Sequence, residues 1–240
     1  MTLAERTEAM KKTNPTAPPA RVAPAPGKLS RADGDATRRR LLDIAGEEFA
    51  DQGYSGTTSK AICARAGVPV ASVNYHFGSR DDLYAAVLIE AHNQVFSLEA
   101  MQDVITRLAT PAERLQAALR LFIEAVSKPE RPWSYRVVAR EILSPTLSLP
   151  VLVEKGIQPK AALMLLVVAE YLGLPPTHPA VQRSLLFAIL PCMAMLLAPR
   201  ELPTRVLPIA FQPNPQPLAE DFLTHTMAGL KAMAAGYVGE

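Results

Sequence analysis

From residue 36 onward, apolar side chains recur at helical spacing. Leu42, Ala45 and Phe49 stand at i, i+3 and i+7, with Leu41 and Ile44 beside them, which makes one wide stripe. Asp35 is placed to cap that helix and Gly53 to end it. Thr58, another capping residue, opens a short helix in which Ile62 and Ala66 share a face, and Gly67 stops it. Pro69 stands at the first position of a third helix reaching Phe77. Ser79, followed by Asp81 and Asp82 in the first turn, starts a fourth helix through Leu83, Val87 and Ala91 to about Met101.

Beyond it no segment alternates with a period of two. Helices are predicted over 111–127, 132–144, 150–173, 178–198 and 215–237, separated by breaks that carry Pro or Gly. Two stretches, Ala161–Leu174 and Ser184–Ala198, are apolar nearly all round and must be buried in a bundle or at a subunit contact. The run 199–217 holds six prolines and reads as an irregular loop. The predicted fold class is all-α.

Residues 1–34 mix Pro, Ala, Lys and Arg without an apolar face, and five prolines between 15 and 26 exclude a continuous helix. This segment is expected to be a disordered basic arm, either a solvated tail or an arm that touches DNA. The chain carries a formal net charge of +2, so overall charge names no partner. Residues 1–80 hold 12 Lys/Arg against 8 Asp/Glu, a net +4, which leaves −2 for the remainder. Only the front is suited to a polyanion. Two distant cysteines, Cys63 and Cys192, make no disulfide framework, and Cys63 reads as a small buried filler. The longest apolar run, Ser184 to Pro199, has 16 residues with Pro191 inside. That is short of the ~20 a bilayer needs, so a cytoplasmic protein is expected.

Two short helices joined by a tight Gly turn and braced by a longer one are the recipe for a helix-turn-helix, here 58–77. Val73 and Phe77, four apart, point inward and leave Ser72, Asn74, Tyr75 and His76 near outer or flanking surfaces. The pattern Thr58-x-x-x-Ile62-x-x-x-Ala66-Gly67-Val68, then Tyr75-His76-Phe77, then Arg80 and Leu83, resembles the N-terminal domain of TetR-family transcriptional regulators over about residues 35–95. That resemblance implies a homodimer whose third helices enter successive major grooves of double-stranded operator DNA. It also implies a C-terminal domain, 96–240, that dimerises and often holds a small-molecule effector. Thr58 is then expected to cap helix 2 and touch a phosphate. Tyr75, His76 and Arg80 would contact phosphates, and Val70, Ala71, Ser72 and Asn74 would face the groove or its rim. Ala71 stands where the family often has Gly, Asn74 where it often has Tyr, and Pro69 replaces a frequent capping Ser.

Structural readings of the same residues stay open from sequence alone. The Tyr75 ring packs on helix 1 in one of them, and His76 caps a helix or edges the core. Arg38, Arg39 and Arg40 oppose the helix dipole unless an anion such as phosphate is near, or they form a solvated run.

In the second half, Arg136-Val-Val-Ala-Arg140-Glu141-Ile-Leu-Ser-Pro145 and Leu-Gly-Leu-Pro-Pro at 172–176 resemble the C-terminal domain of the family's CerR-like branch. Trp133, Tyr135, Met164, Tyr171, Phe187, Met193 and Met195 are candidates to line a cavity, with ordinary core as the alternative. Arg136 and Arg140, on one face, are either a handle for an anionic effector or partners of a nearby carboxylate. The helix 184–198 and the last helix, with Phe222, Leu223, Met227, Leu230 and Met233, are candidates for a two-fold interface. The four histidines are scattered and no metal-ligand spacing, G-x-S-x-G or phosphate-cradling loop occurs. No cofactor and no enzymatic activity are expected. The expected function is a ligand-responsive repressor. An enzyme with a vestigial motif and an architectural DNA binder are the other classes weighed.

Overall fold

Apolar stripes at helical spacing, interrupted by capping residues, fold here into helices. The computed structural model describes residues 31–128, 130–199, 201–211 and 214–237, and contains no strand among them. The expected arm therefore lies outside the described residues over 1–30, while 31–34 belong to the first helix.

Helix α1 spans Arg31–Gly56, with a break at Gly53, where φ is 74°. It starts five residues earlier than the stripe suggested, so Asp35 lies inside the helix and does not cap it. Asp33 occupies the first turn and complements the positive end. Arg38, Arg39 and Arg40 fall in the interior, away from that end. The Arg38 guanidinium lies 4.7 Å over the Phe77 ring, and Arg40 donates to the Ala66 carbonyl at 3.3 Å. Helix α2 is Ser59–Ala66, α3 is Ala71–Phe77 and α4 is Arg80–Val95. Pro69 precedes α3 in the turn, its carbonyl accepting from Ser72 N.

α4 ends sooner than its apolar period implied. Phe96 leaves the helix, and the Ser97 hydroxyl accepts from Ala100 N at 3.1 Å to cap α5, Leu98–Arg107. Thr110 and Glu113 form a capping box that opens α6, Pro111–Ser127. Helix α7, Trp133–Leu143, packs against α1 and α4 together. Gly46 makes that approach possible, since a Cβ there would stand 2.5 Å from the Trp133 ring. On the α4 side, buried Glu141 accepts from the Tyr84 hydroxyl at 2.9 Å and from Thr146 N at 2.9 Å.

The segment expected as one helix over 150–173 is α8, Leu149–Leu152, a π-helical stretch Val153–Ile157, and α9, Gln158–Leu172. Helix α10, Pro179–Leu197, follows. Within the run expected to be a loop, α11 forms over Glu201–Val206, its Pro203 tolerated in the first turn. α12, Gln216–Gly236, closes the chain.

α10 is longer than the 16-residue run read from the sequence, at 19 residues, and is long and apolar enough to cross a membrane by length and composition alone. Its row Ala180, Val181, Ser184, Ala188, Cys192 and Leu196 is buried in the bundle. One connected core runs from Leu41 to Leu230, across residue 95 without interruption. Leu223 and Leu230 belong to that core, so the middle of the α12 stripe is buried inside this chain.

Candidate nucleic-acid interface and bundle cavity

Thr58 takes an extended conformation before α2, and its hydroxyl accepts from Ala61 N at 3.1 Å. At the other end Gly67 is left-handed (φ 65°), its amide bonding Ala64 O at 3.2 Å while Val68 N bonds Cys63 O at 3.0 Å. These bonds satisfy the last carbonyls of α2 and turn the chain sharply. Val73 then drops into the core at 0% exposure and pins α3. Around this anchor the other residues face outward. Tyr75 is 81% exposed and Val70 54%; Ala71 and Asn74 are exposed, and Ser72 and His76 half-buried. The Tyr75 ring meets His76 edge-on at 4.8 Å instead of lying on α1.

α4 fixes the position of α3. Gly78 turns the chain at φ 91°, and the Ser79 hydroxyl caps α4 by accepting from Asp82 N at 3.0 Å. Arg80 points back. Its Nη1 donates to the Thr57 carbonyl at 2.8 Å, and its guanidinium lies 4.2 Å over the Tyr54 ring. The side chain expected at a phosphate is thus engaged in clamping the end of α1 to α4. Nearby Arg65 is paired with Glu47 and Glu48.

Behind this head, a cavity of about 380 Å³ lies among α4, α6, α7, α9 and α10. Phe96, Phe122, Met164, Ile189 and Met193 are among its apolar walls. Its polar end is His92 with Lys160, the latter 4% exposed. Lys160 Nζ lies 2.8 Å from His92 Nδ1 and donates to Asn93 Oδ1 at 2.7 Å. Burial pushes the lysine down to about 8. Burial first, and the Lys160 charge second, push His92 down to about 3. At neutral pH the ammonium therefore faces a neutral imidazole, whose Nδ1 accepts. Burial pushes the Cys192 thiol in the wall up to about 12, which keeps it protonated and inert.

Residues 41–87 match the family model for bacterial regulatory proteins of the TetR family, and 111–233 match the C-terminal domain of the HTH-type transcriptional dual regulator CecR. The chain belongs to the TetR family. That is a family of regulators, not enzymes, and the branch termed CerR-like above is the one this C-terminal description calls CecR. Among curated relatives, the HTH-type transcriptional repressor KstR2 of Mycobacterium tuberculosis is 30% identical over 100 residues, 41% of this chain and 49% of that protein. The dual regulator CecR of Shigella flexneri is 26% identical over 150 residues, 58% of this chain and 66% of that protein. The chain thus spans from about half to two-thirds of the length of these relatives. A solved candidate transcriptional regulator from Pseudomonas aeruginosa PAO1 shares the fold, with a TM-score of 0.66 at 16% identity over 88% of this chain and 96% of that one.

Of the residues the sequence offered for a pocket, the structure brings Met164 and Met193 to the cavity. The others do not line this cavity, for local reasons. Trp133 is drawn onto α1 by Gly46, and the Tyr135 hydroxyl donates to Ala125 O. Arg136 pairs with Asp51, the carboxylate alternative, and Arg140 donates to Ala50 O at 3.2 Å. Tyr171 packs half-buried on the core beyond the cavity, and Phe187 is 58% exposed on the outer face of α10. Sequence reasoning missed His92 and Lys160. Neither carried a signal, since Lys160 ends a stretch that already holds Glu154, Lys155 and Gln158, and His92 stands beside Asn93.

Proposed function

We propose that this protein is a sequence-specific DNA-binding repressor of the cytoplasm, acting as a homodimer on a pseudo-palindromic operator and released by a small-molecule effector. The observation that carries this reading is the exposure of Val70, Ala71, Asn74 and Tyr75 around the buried Val73, on a short helix set between the turns at Gly67 and Gly78. Such a helix fits a major groove, where short polar side chains read base edges. Thr58 and His76 flank it as phosphate contacts, and Ser72 lies at its rim. Arg80 shapes the head first, with further N–H donors left to reach a phosphate.

Dimerisation finds support in Leu186, Phe187 and Leu190, each at least half exposed on one side of α10, with Leu166 on α9 also exposed. Paired copies of such a patch make a self-complementary contact. The 96–240 region serves as the effector and dimer domain, and 35–95 as the reading head. His92 and Phe96 belong to the last helix of the head and its cap, yet wall the cavity, so an occupant touches the element that holds α3. The KstR2 relative is named a repressor, which supports repression as the sign.

Selection of preferred sites from a random DNA pool tests the core of this. A two-fold symmetric consensus with half-sites about one helical turn apart or somewhat more is expected. Enrichment of no symmetric site would overturn it. Replacing Asn74 with Ala should shift base preference at one position by about 1–3 kcal/mol.

A further inference from the structure

A lysine ammonium has three donors and a full charge to stabilise. At Lys160 two contacts are met by neutral groups, His92 Nδ1 and Asn93 Oδ1. Among the described residues no carboxylate pairs with it, although the side chain is only 4% exposed. A buried charge without a counter-charge is costly, and proteins keep one chiefly where something else supplies the opposite sign. Lys160 also lines the cavity, so the missing partner has a place to sit. The imidazole beside it adds a second donor. Because His92 accepts at Nδ1, its neutral ring carries the proton on Nε2. Apart from Gln182 on α10, the remaining walls are apolar, including Phe122, Met164, Met193 and Leu196.

We propose that the cavity takes an amphipathic carboxylate, a molecule with one acid group on an apolar body, its acid paired with Lys160 Nζ and its body along the apolar walls. This rests on reading the cavity as the effector site and names the chemical class that fills it. The carboxylate completes an ion pair with a charge already desolvated, so the lysine is prepared for this one sign of ligand. Cations are rejected by the same charge, and neutral amphiphiles gain the apolar contact and a hydrogen bond but no ion pair.

The test measures direct binding to the full-length protein without DNA, by calorimetry and thermal shift. The probes are octanoate, decanoate, dodecanoate and tetradecanoate, each against the primary alcohol and the trimethylammonium ion of equal chain length, below micelle formation. The best carboxylate should bind at least about tenfold more tightly than its alcohol, with the cation weakest. Lys160→Met should abolish the preference for acid over alcohol, with acid affinity falling at least about tenfold and alcohol affinity falling less. Lys160→Gln serves as a second variant should the methionine pack poorly. Met193→Trp, which fills the cavity, should lose both ligands.

Equal affinity for acid and alcohol, acid preference surviving at Lys160→Met, or no binding in any series would each overturn the proposal. Operator binding is measured separately. Failure of the protein to hold any DNA site would remove the regulatory reading while the binding preference still decides the ligand class. A normal operator complex with no acid preference would do the reverse.

Discussion

The two candidate sites of this chain are built in opposite ways. The head draws its outward face from one stretch, residues 58–80, whose helix ends are set by local bonds and caps, while Arg40, Arg80 and the buried Val73 tie it to the neighbouring helices. The cavity gathers Phe96, Phe122, Val138, Lys160 and Met193 from well-separated helices, and none predicts the next. In the head Val70, Ala71, Asn74 and Tyr75 are exposed and Val73 is buried, so the candidate contacts and the core overlap little. In the cavity one residue, such as Met164 at 1% exposure, is both wall and core. Changes in the head should therefore divide largely into stability effects and binding effects, with Thr58 and Arg80, which serve both, as the exceptions. Changes at the cavity should mix them.

The sharpest way to break that contrast is in the cores. Phe49 is fully buried, with its ring 4.7 Å from that of Tyr84. Phe49→Ala should cost about 3–5 kcal/mol in urea denaturation. Met193 already faces open volume on one side, so truncating it removes less packing, and Met193→Ala should cost about 1–2 kcal/mol. Equal losses would mean that the cavity is as tightly filled as the head.

The same contrast governs what could be read in advance. Thr58, Gly67, Ser79 and the Val73 position announce α2 to α4, because a cap or a left-handed glycine is a short-range requirement. The ends that went astray lacked one. α1 begins as early as Arg31 because Gly34, the one weak helix former between residues 31 and 35, does not stop it. At Phe96 the apolar period continues, and only the capping serine after it marks the stop. The π-helical turn at Val153–Ile157 left no mark in the pattern, nor did the shallow exposed helix in the proline-rich run. At the cavity the difficulty is distance. Arg136 and Arg140 read correctly as one face of a helix, but periodicity does not say that the face meets α1. Lys160 and His92 stand 68 residues apart, so no spacing rule joins them.

Lys160 also sharpens the comparison through pH. Burial holds its folded-state value near 8, below the ordinary 10.5, so the unfolded chain binds the extra proton between those values. The charged lysine thus opposes folding fully below about pH 8, and that opposition fades as pH rises toward 10.5. The ring beside it, His92, is pushed down to about 3 and stays neutral throughout. The stability of Lys160→Met relative to the wild type should accordingly decline as pH rises from 8 to 10, by at most about 1.4 kcal/mol per pH unit. Paired denaturation curves across that range measure it. A constant difference would show that Lys160 keeps an ordinary affinity for protons and is better solvated than its burial implies.

The smallest stability effect belongs to the most exposed aromatic ring of the head. Tyr75 at 81% exposure meets only the edge of His76, so Tyr75→Ala should leave the denaturation midpoint within about 0.5 kcal/mol of wild type. Its effect on DNA should not be small. Without the Tyr75 hydroxyl on a phosphate, binding should weaken uniformly across operator sequences, and the logarithmic salt dependence should flatten by about one. That pairing of a silent fold with a changed salt slope separates Tyr75 from Arg80. The guanidinium of Arg80 joins Thr57 to the ring of Tyr54, so its removal should disturb stability and binding together. Should Tyr75→Ala leave both quantities unchanged, the outward face of α3 would lack a phosphate-binding edge. The division between structural and functional residues in the head would then have to be drawn elsewhere.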